Sequence, residues 1–169
     1  YGNPESARWL LQTPLLNDAA RESLLGQSNR PKLVRMGETV LLILRGINHN
    51  KDHRPEEMVA LRIYITPDFI LSSRRRSLLS EKDVFQQLVL GGGAISSADW
   101  LVEICDALTD RAGEFVEELH DQILELEEIV LMRELPANGR LARIRKQLIM
   151  IRRYLSPQRD LVARLANEK

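Results

Sequence analysis

The chain of 169 residues has a single cysteine, Cys105, so no disulfide can form within it; that usage fits a reducing compartment. No stretch approaches the roughly eighteen consecutive apolar residues of a membrane-crossing helix, and nothing has the form of a signal peptide. Net charge is also lacking, because 24 Lys and Arg balance 24 Asp and Glu. A uniformly basic nucleic-acid binder would not be composed this way, so no nucleic-acid partner is expected. Catalytic sets are missing too. No Ser-His-Asp or Cys-His arrangement has support, and Gly91-Gly92-Gly93 is no phosphate loop, since neither Lys-Ser nor Lys-Thr follows it. These absences speak against an enzyme, and no cofactor is implied. An opening at Tyr1-Gly2-Asn3-Pro4 without Met, and an uncapped end at Ala166-Asn167-Glu168-Lys169, lead us to expect a piece of a longer protein.

The zero net charge conceals a strong polarity. Residues 97–134 hold twelve acids against Arg111 and Arg133, and residues 139–169 hold nine bases against Asp160 and Glu168. Each stretch also carries an apolar stripe at steps of three and four. In the first the stripe is Leu101, Ile104, Leu108, Ala112, Phe115, Leu119, Ile123, Leu126 and Val130. In the second it is Leu141, Ile144, Leu148, Ile151, Leu155, Gln158, Val162 and Leu165, with only Gln158 polar. Such spacing marks amphipathic helices that need a partner surface. Opposite charge and a short joint at Leu135-Pro136-Ala137-Asn138-Gly139 predict that they pair as an antiparallel hairpin. Exposed ion pairs contribute only about 0.2–1 kcal/mol each, so they set register while the apolar seam holds the pair. Pro157 falls inside the second helix and should kink it.

Ahead of the hairpin the chain reads as helices and strands. Asn3-Pro4-Glu5 starts a helix whose buried face would be Trp9, Leu10 and Leu11, and Asn17 caps a second that Gly26 closes. Strands follow at Lys32–Met36, Thr39–Ile47, Met58–Thr66 and Phe69–Ser73. The run Val40–Leu44 suggests a strand covered on both faces, and short links predict mostly antiparallel pairing. Ser80-Glu81-Lys82-Asp83 has the form of a helix start, and the triple glycine after Leu90 reads as a helix cap with a loop or as a hinge. The expected fold is α/β of the α+β type. A mostly antiparallel or mixed sheet flanked by helices is expected over residues 1–95, with its N-terminal strands missing, and the long hairpin over residues 96–169.

Three features could carry chemistry. Glu117, His120 and Asp121 share one helix face at spacings of three and four, and zinc accepts imidazole with carboxylate; an acidic outer face supplies the same residues by default. Arg74-Arg75-Arg76, after the fourth strand, suits an anion or an acidic partner, or a salt-bridged turn. His49 and His53 bracket Asp52 in a polar loop that could hold a metal weakly or is simply solvated.

Several stretches together resemble a family. Leu44-Arg45-Gly46-Ile47-Asn48, Pro55-Glu56-Glu57-Met58-Val59-Ala60-Leu61-Arg62-Ile63-Tyr64-Ile65 and Ser73-Arg74-Arg75-Arg76 are similar to the cytoplasmic domain of ZntB-type zinc transporters, a branch of the CorA divalent-cation transporter superfamily. The stretch Leu148–Asp160 resembles the superfamily's Leu-x-x-x-Arg-Arg-x-Leu-x-Pro-x-Arg-Asp pattern. Members continue into a stalk helix, two membrane helices and a Gly-x-Asn pore signature; Gly46-Ile47-Asn48 spells that tripeptide but follows a sheet strand, so no pore residue carries over. The resemblance implies the regulatory, funnel-forming domain of a homopentamer in the bacterial inner membrane, tied to it through further C-terminal helices. It would move zinc, with cadmium, or magnesium and cobalt in a sister channel, as alternatives. A stand-alone helical-hairpin adaptor is the reading from another class.

Overall fold

The computed structural model of the chain describes residues 3–132 and 138–167. Helix α1 (Pro4–Gln12) starts where Asn3 Oδ1 accepts the Glu5 N–H at 2.9 Å with proline in the first turn. Helix α2 (Asp18–Leu25) starts where Asn17 Oδ1 accepts the Ala20 N–H at 2.8 Å. Four strands follow: β1 (Lys32–Met36), β2 (Thr39–Gly46), β3 (Val59–Ile65) and β4 (Ile70–Arg74). They pair antiparallel in the order β1-β2-β3-β4.

Register fixes what each face carries, because alternate side chains of a strand point to opposite sides. Leu41 opposes Tyr64 and lies under α1 and α2, in a cluster with Leu10, Leu16, Ala20 and Leu24. Leu42 opposes Ile63 and Leu44 opposes Leu61 on the other face. That face is covered by the chain's own helices α3 (Leu79–Val89), α4 (Ser97–Leu131) and α5 (Asn138–Asn167), through Val84, Ile104, Leu108 and Leu161. The expectation that the run Val40–Leu44 is buried from both sides therefore holds. Gly46 marks a close approach of the two layers: a Cβ there would stand 2.6 Å from Leu78 Cδ1 and 2.6 Å from Leu108 Cδ2.

The hairpin forms as its stripes require. Ala112, Phe115, Leu119 and Leu126 of α4 share a cluster with Ile144 and Ile151 of α5. Arg140 bonds Glu125 at one end, and Leu161 joins Ile104 and Leu108 at the other, so the helices run antiparallel. Cross-helix charge is represented by that Arg140–Glu125 pair, while the seam itself is apolar. Ser96 caps α4, its Oγ accepting the Asp99 N–H at 3.1 Å. Helix α5 continues through Pro157. The joint expected at Leu135–Gly139 lies mostly outside the described residues, α5 beginning at Asn138.

Some expectations need correction. Only Leu10 of the trio Trp9, Leu10 and Leu11 is buried. Consecutive helical residues are about 100° apart, so three in a row cannot share one face. Helix α3 starts at Leu79, and Ser80 is not its cap; the Ser80 hydroxyl donates instead to the Ala107 carbonyl of α4 at 3.0 Å. In α5 Leu141 and Leu148 are exposed and Leu161 is buried, and in α4 Val130 is exposed. The glycine run closes α3, with Gly91 at φ +80° and the Gly92 N–H donating to the Gln87 carbonyl. Positive φ at this place is the ordinary reason for glycine after a helix.

Candidate functional site

Glu117, His120 and Asp121 all lie exposed on the outer face of α4, away from the seam that Phe115 and Leu119 form. Among the described residues no group of three or more His, Cys, Asp or Glu side chains is arranged to hold a metal ion. What α4 presents is a field of carboxylates. In the loop before β3, His53 Nδ1 lies 3.4 Å from Glu57 Oε2. Cys105 is half-buried against the cluster under α3 and α4, and burial pushes its thiol up to about 11, Asp106 adding to the shift.

The arginine triplet divides. Arg74 pairs with the buried Glu81 of α3, whose Oε1 accepts the Ser72 hydroxyl at 2.8 Å. That network fastens α3 to β4. Arg75 and Arg76 are exposed and line a cavity of about 460 Å³ on the opposite side of the strand. The same cavity is lined by Arg45 of β2 and Arg62 of β3, both buried, and by Tyr154 of α5. Arg62 opposes Ile43 and Arg45 opposes Ala60 in the β2–β3 ladder, so both arginines stand on the α1–α2 face of the sheet. Arg62 Nη2 donates to the Ser28 carbonyl at 3.0 Å.

Sequence reasoning missed how α5 meets this site. The β1–β2 ladder ends at Lys32↔Ile43, which leaves the backbone of Arg45 without a strand partner on that side. Gln158 fills the place: its Oε1 accepts the Arg45 N–H at 2.6 Å and its Nε2 donates to the Arg45 carbonyl at 3.1 Å. One side-chain amide thus replaces one residue of a strand, which explains the single polar residue in the α5 stripe. One turn earlier, the Tyr154 ring lies 4.4 Å from Arg45 Cζ, within cation–π range. Burial lowers the Arg45 guanidinium to about 10, Tyr154 opposing the shift and Arg62 adding to it. It stays charged at neutral pH.

Comparison with known proteins decides the kinship. The family model described as CorA-like Mg2+ transporter protein matches residues 2–169. The chain belongs to the CorA-like family. This CorA-like chain is 48% identical over all 169 residues to the zinc transport protein ZntB of Yersinia enterocolitica serotype O:8 / biotype 1B (strain NCTC 13174 / 8081), covering 52% of that protein. Among solved structures it resembles the full-length CmaX protein, with a TM-score of 0.92 and 33% identity, over 98% of this chain and 51% of CmaX. It also resembles the ZntB cytoplasmic domain from Vibrio parahaemolyticus RIMD 2210633, with a TM-score of 0.82 and 25% identity, over 98% of this chain and 67% of that domain. The chain therefore spans about half the length of the curated relative it matches. Its sheet and helices are those of the ZntB and CorA soluble domains. No helix among the described residues is long and apolar enough to cross a membrane.

Proposed function

We propose that this chain is the cytoplasmic part of a membrane transporter for zinc, acting in the bacterial inner membrane as a homopentamer. The observation that carries the reading is the identity to a zinc transport protein along the whole chain, with the likeness to a ZntB cytoplasmic domain beside it. The chain's own contribution is electrostatic. Helix α4 turns most of its carboxylates outward, including Glu117, Glu118 and Asp121. Five such helices around one axis form an acidic surface that concentrates divalent cations near the pathway, with His120 among the groups they meet. A field of this kind is screened over about 8 Å at physiological salt, so its effect depends on ionic strength.

The test is zinc flux through the full-length protein in liposomes. Neutralising Glu117, Glu118 and Asp121 together lowers the zinc rate more at low than at high ionic strength; equal losses at both would contradict the electrostatic role. A second reading, magnesium or cobalt as the cargo, is favoured by the description of the matching family model. Competition separates the two, because magnesium keeps oxygen ligands and water whereas zinc accepts nitrogen. Magnesium flux that zinc does not inhibit would favour the second reading.

A further inference from the structure

The arginine cavity remains unaccounted for by an acidic surface that gathers cations. Four guanidinium groups line it against two carboxylates, Glu56 and Glu57. Glu56 accepts from Gln147 Nε2 at 3.2 Å, and Glu57 has His53 beside it. Arg45 is the informative member. Its side chain is only 6% exposed together with its backbone, and its Nε has no hydrogen-bond partner. Among the described residues its guanidinium makes no hydrogen bond or ion pair, and it stacks over the Tyr154 ring. A buried cation without a counter-charge is costly to keep, and Arg62 close by raises that cost.

We propose that this cavity binds a phosphate-class oxyanion, free or carried on a small organic molecule, between Arg45 and Arg62 on the sheet and Arg75 and Arg76 on the turn after β4. Guanidinium forks match tetrahedral oxyanions with paired N–H donors, which is the recognition that arginine provides and lysine does not. A volume of about 460 Å³ is far more than a single halide fills. The wall supplied by Met150 and Tyr154 belongs to α5, and Gln158 fixes that helix to Arg45. An anion held there ties α5 more firmly to the sheet, which makes the site a means for a phosphorylated small molecule to act on the helix. This reading does not depend on which metal is carried.

The test is thermal unfolding and calorimetric titration of the chain with inorganic phosphate and with glycerol 3-phosphate, against potassium chloride at matched ionic strength. Both phosphates should raise the melting temperature beyond the chloride control. A tighter monoester identifies an organic carrier, and equal affinity identifies free phosphate. R45K keeps the charge and loses the fork, and R76Q removes an exposed donor; each should weaken phosphate binding about tenfold or more. R143Q, on the exposed side of α5, should leave it unchanged. If R45K fails to fold, R76Q and R143Q decide between them. An equal rise with chloride, wild-type affinity in R76Q, or the same loss in R143Q would overturn the proposal.

Discussion

The two faces of the sheet come from the same four strands and are built to different ends. Toward α3, α4 and α5 the strands present Leu42, Leu44, Leu61 and Ile63, all buried among aliphatic side chains. Toward α1 and α2 they present Leu41 and Tyr64 at one end, but Arg45 and Arg62 at the other, Arg45 buried against the Tyr154 ring and Arg62 donating to the Ser28 carbonyl. The first face gains stability from the burial of those side chains. The second spends part of that stability on charges that packing alone would not retain. The difference teaches where to look for function: in the layer whose burial is hardest to justify energetically.

Substitutions on each side sharpen the contrast. The largest effect is expected on the aliphatic face, where Leu108→Ala removes a fully buried side chain wedged against Gly46 and should cost about 2–5 kcal/mol in urea unfolding. Next comes Cys105, at the edge of the same cluster. Its pKa of about 11 instead of 9.0 cuts the thiolate roughly a hundredfold near neutral pH. Alkylation at pH 8 should therefore be about that much slower than in urea and should quicken about tenfold per pH unit toward pH 11. The raised folded pKa means that the stability linked to this proton is fully present below pH 9 and lost as pH rises through about 11. At the junction of the two faces, Gln158→Leu leaves the Arg45 N–H and carbonyl unsatisfied and should cost about 1–3 kcal/mol. Arg140→Ala, breaking an exposed pair with Glu125, should cost under about 1 kcal/mol.

Much of this was legible in the sequence where the signal is local or periodic. The strands, the caps at Asn3, Asn17 and Ser96, and the α4 stripe all announce themselves through residues within one turn or one pleat of each other. What the sequence hides is long-range. Gln158 looks like a flaw in an apolar stripe until its amide is seen on the Arg45 backbone, 113 residues away in the chain. The burial of Arg45 and Arg62 is not legible in their strands, because alternation says which face a residue joins but not what covers that face. The Arg74–Arg76 triplet was visible as a basic cluster. Its division between a bond to Glu81 and the cavity follows from the strand period, since Arg74 still belongs to β4 and the next two residues do not. Ser80 shows the opposite error: a capping pattern recognised locally was overridden by the Ala107 carbonyl of a helix packed against it.

The most direct test of the contrast between the faces is the stability of Arg45→Met in phosphate-free buffer. Methionine keeps the apolar stem and removes the charge, giving up a cation–π contact of about 0.5–2 kcal/mol while relieving an unpaired buried cation. If Arg45 is kept for binding, the variant unfolds within about 1 kcal/mol of wild type or is more stable, and phosphate no longer raises its melting temperature. A loss of more than about 2 kcal/mol, with the phosphate effect intact, would mean that Arg45 is part of the structural core after all, and the two faces would no longer differ in kind.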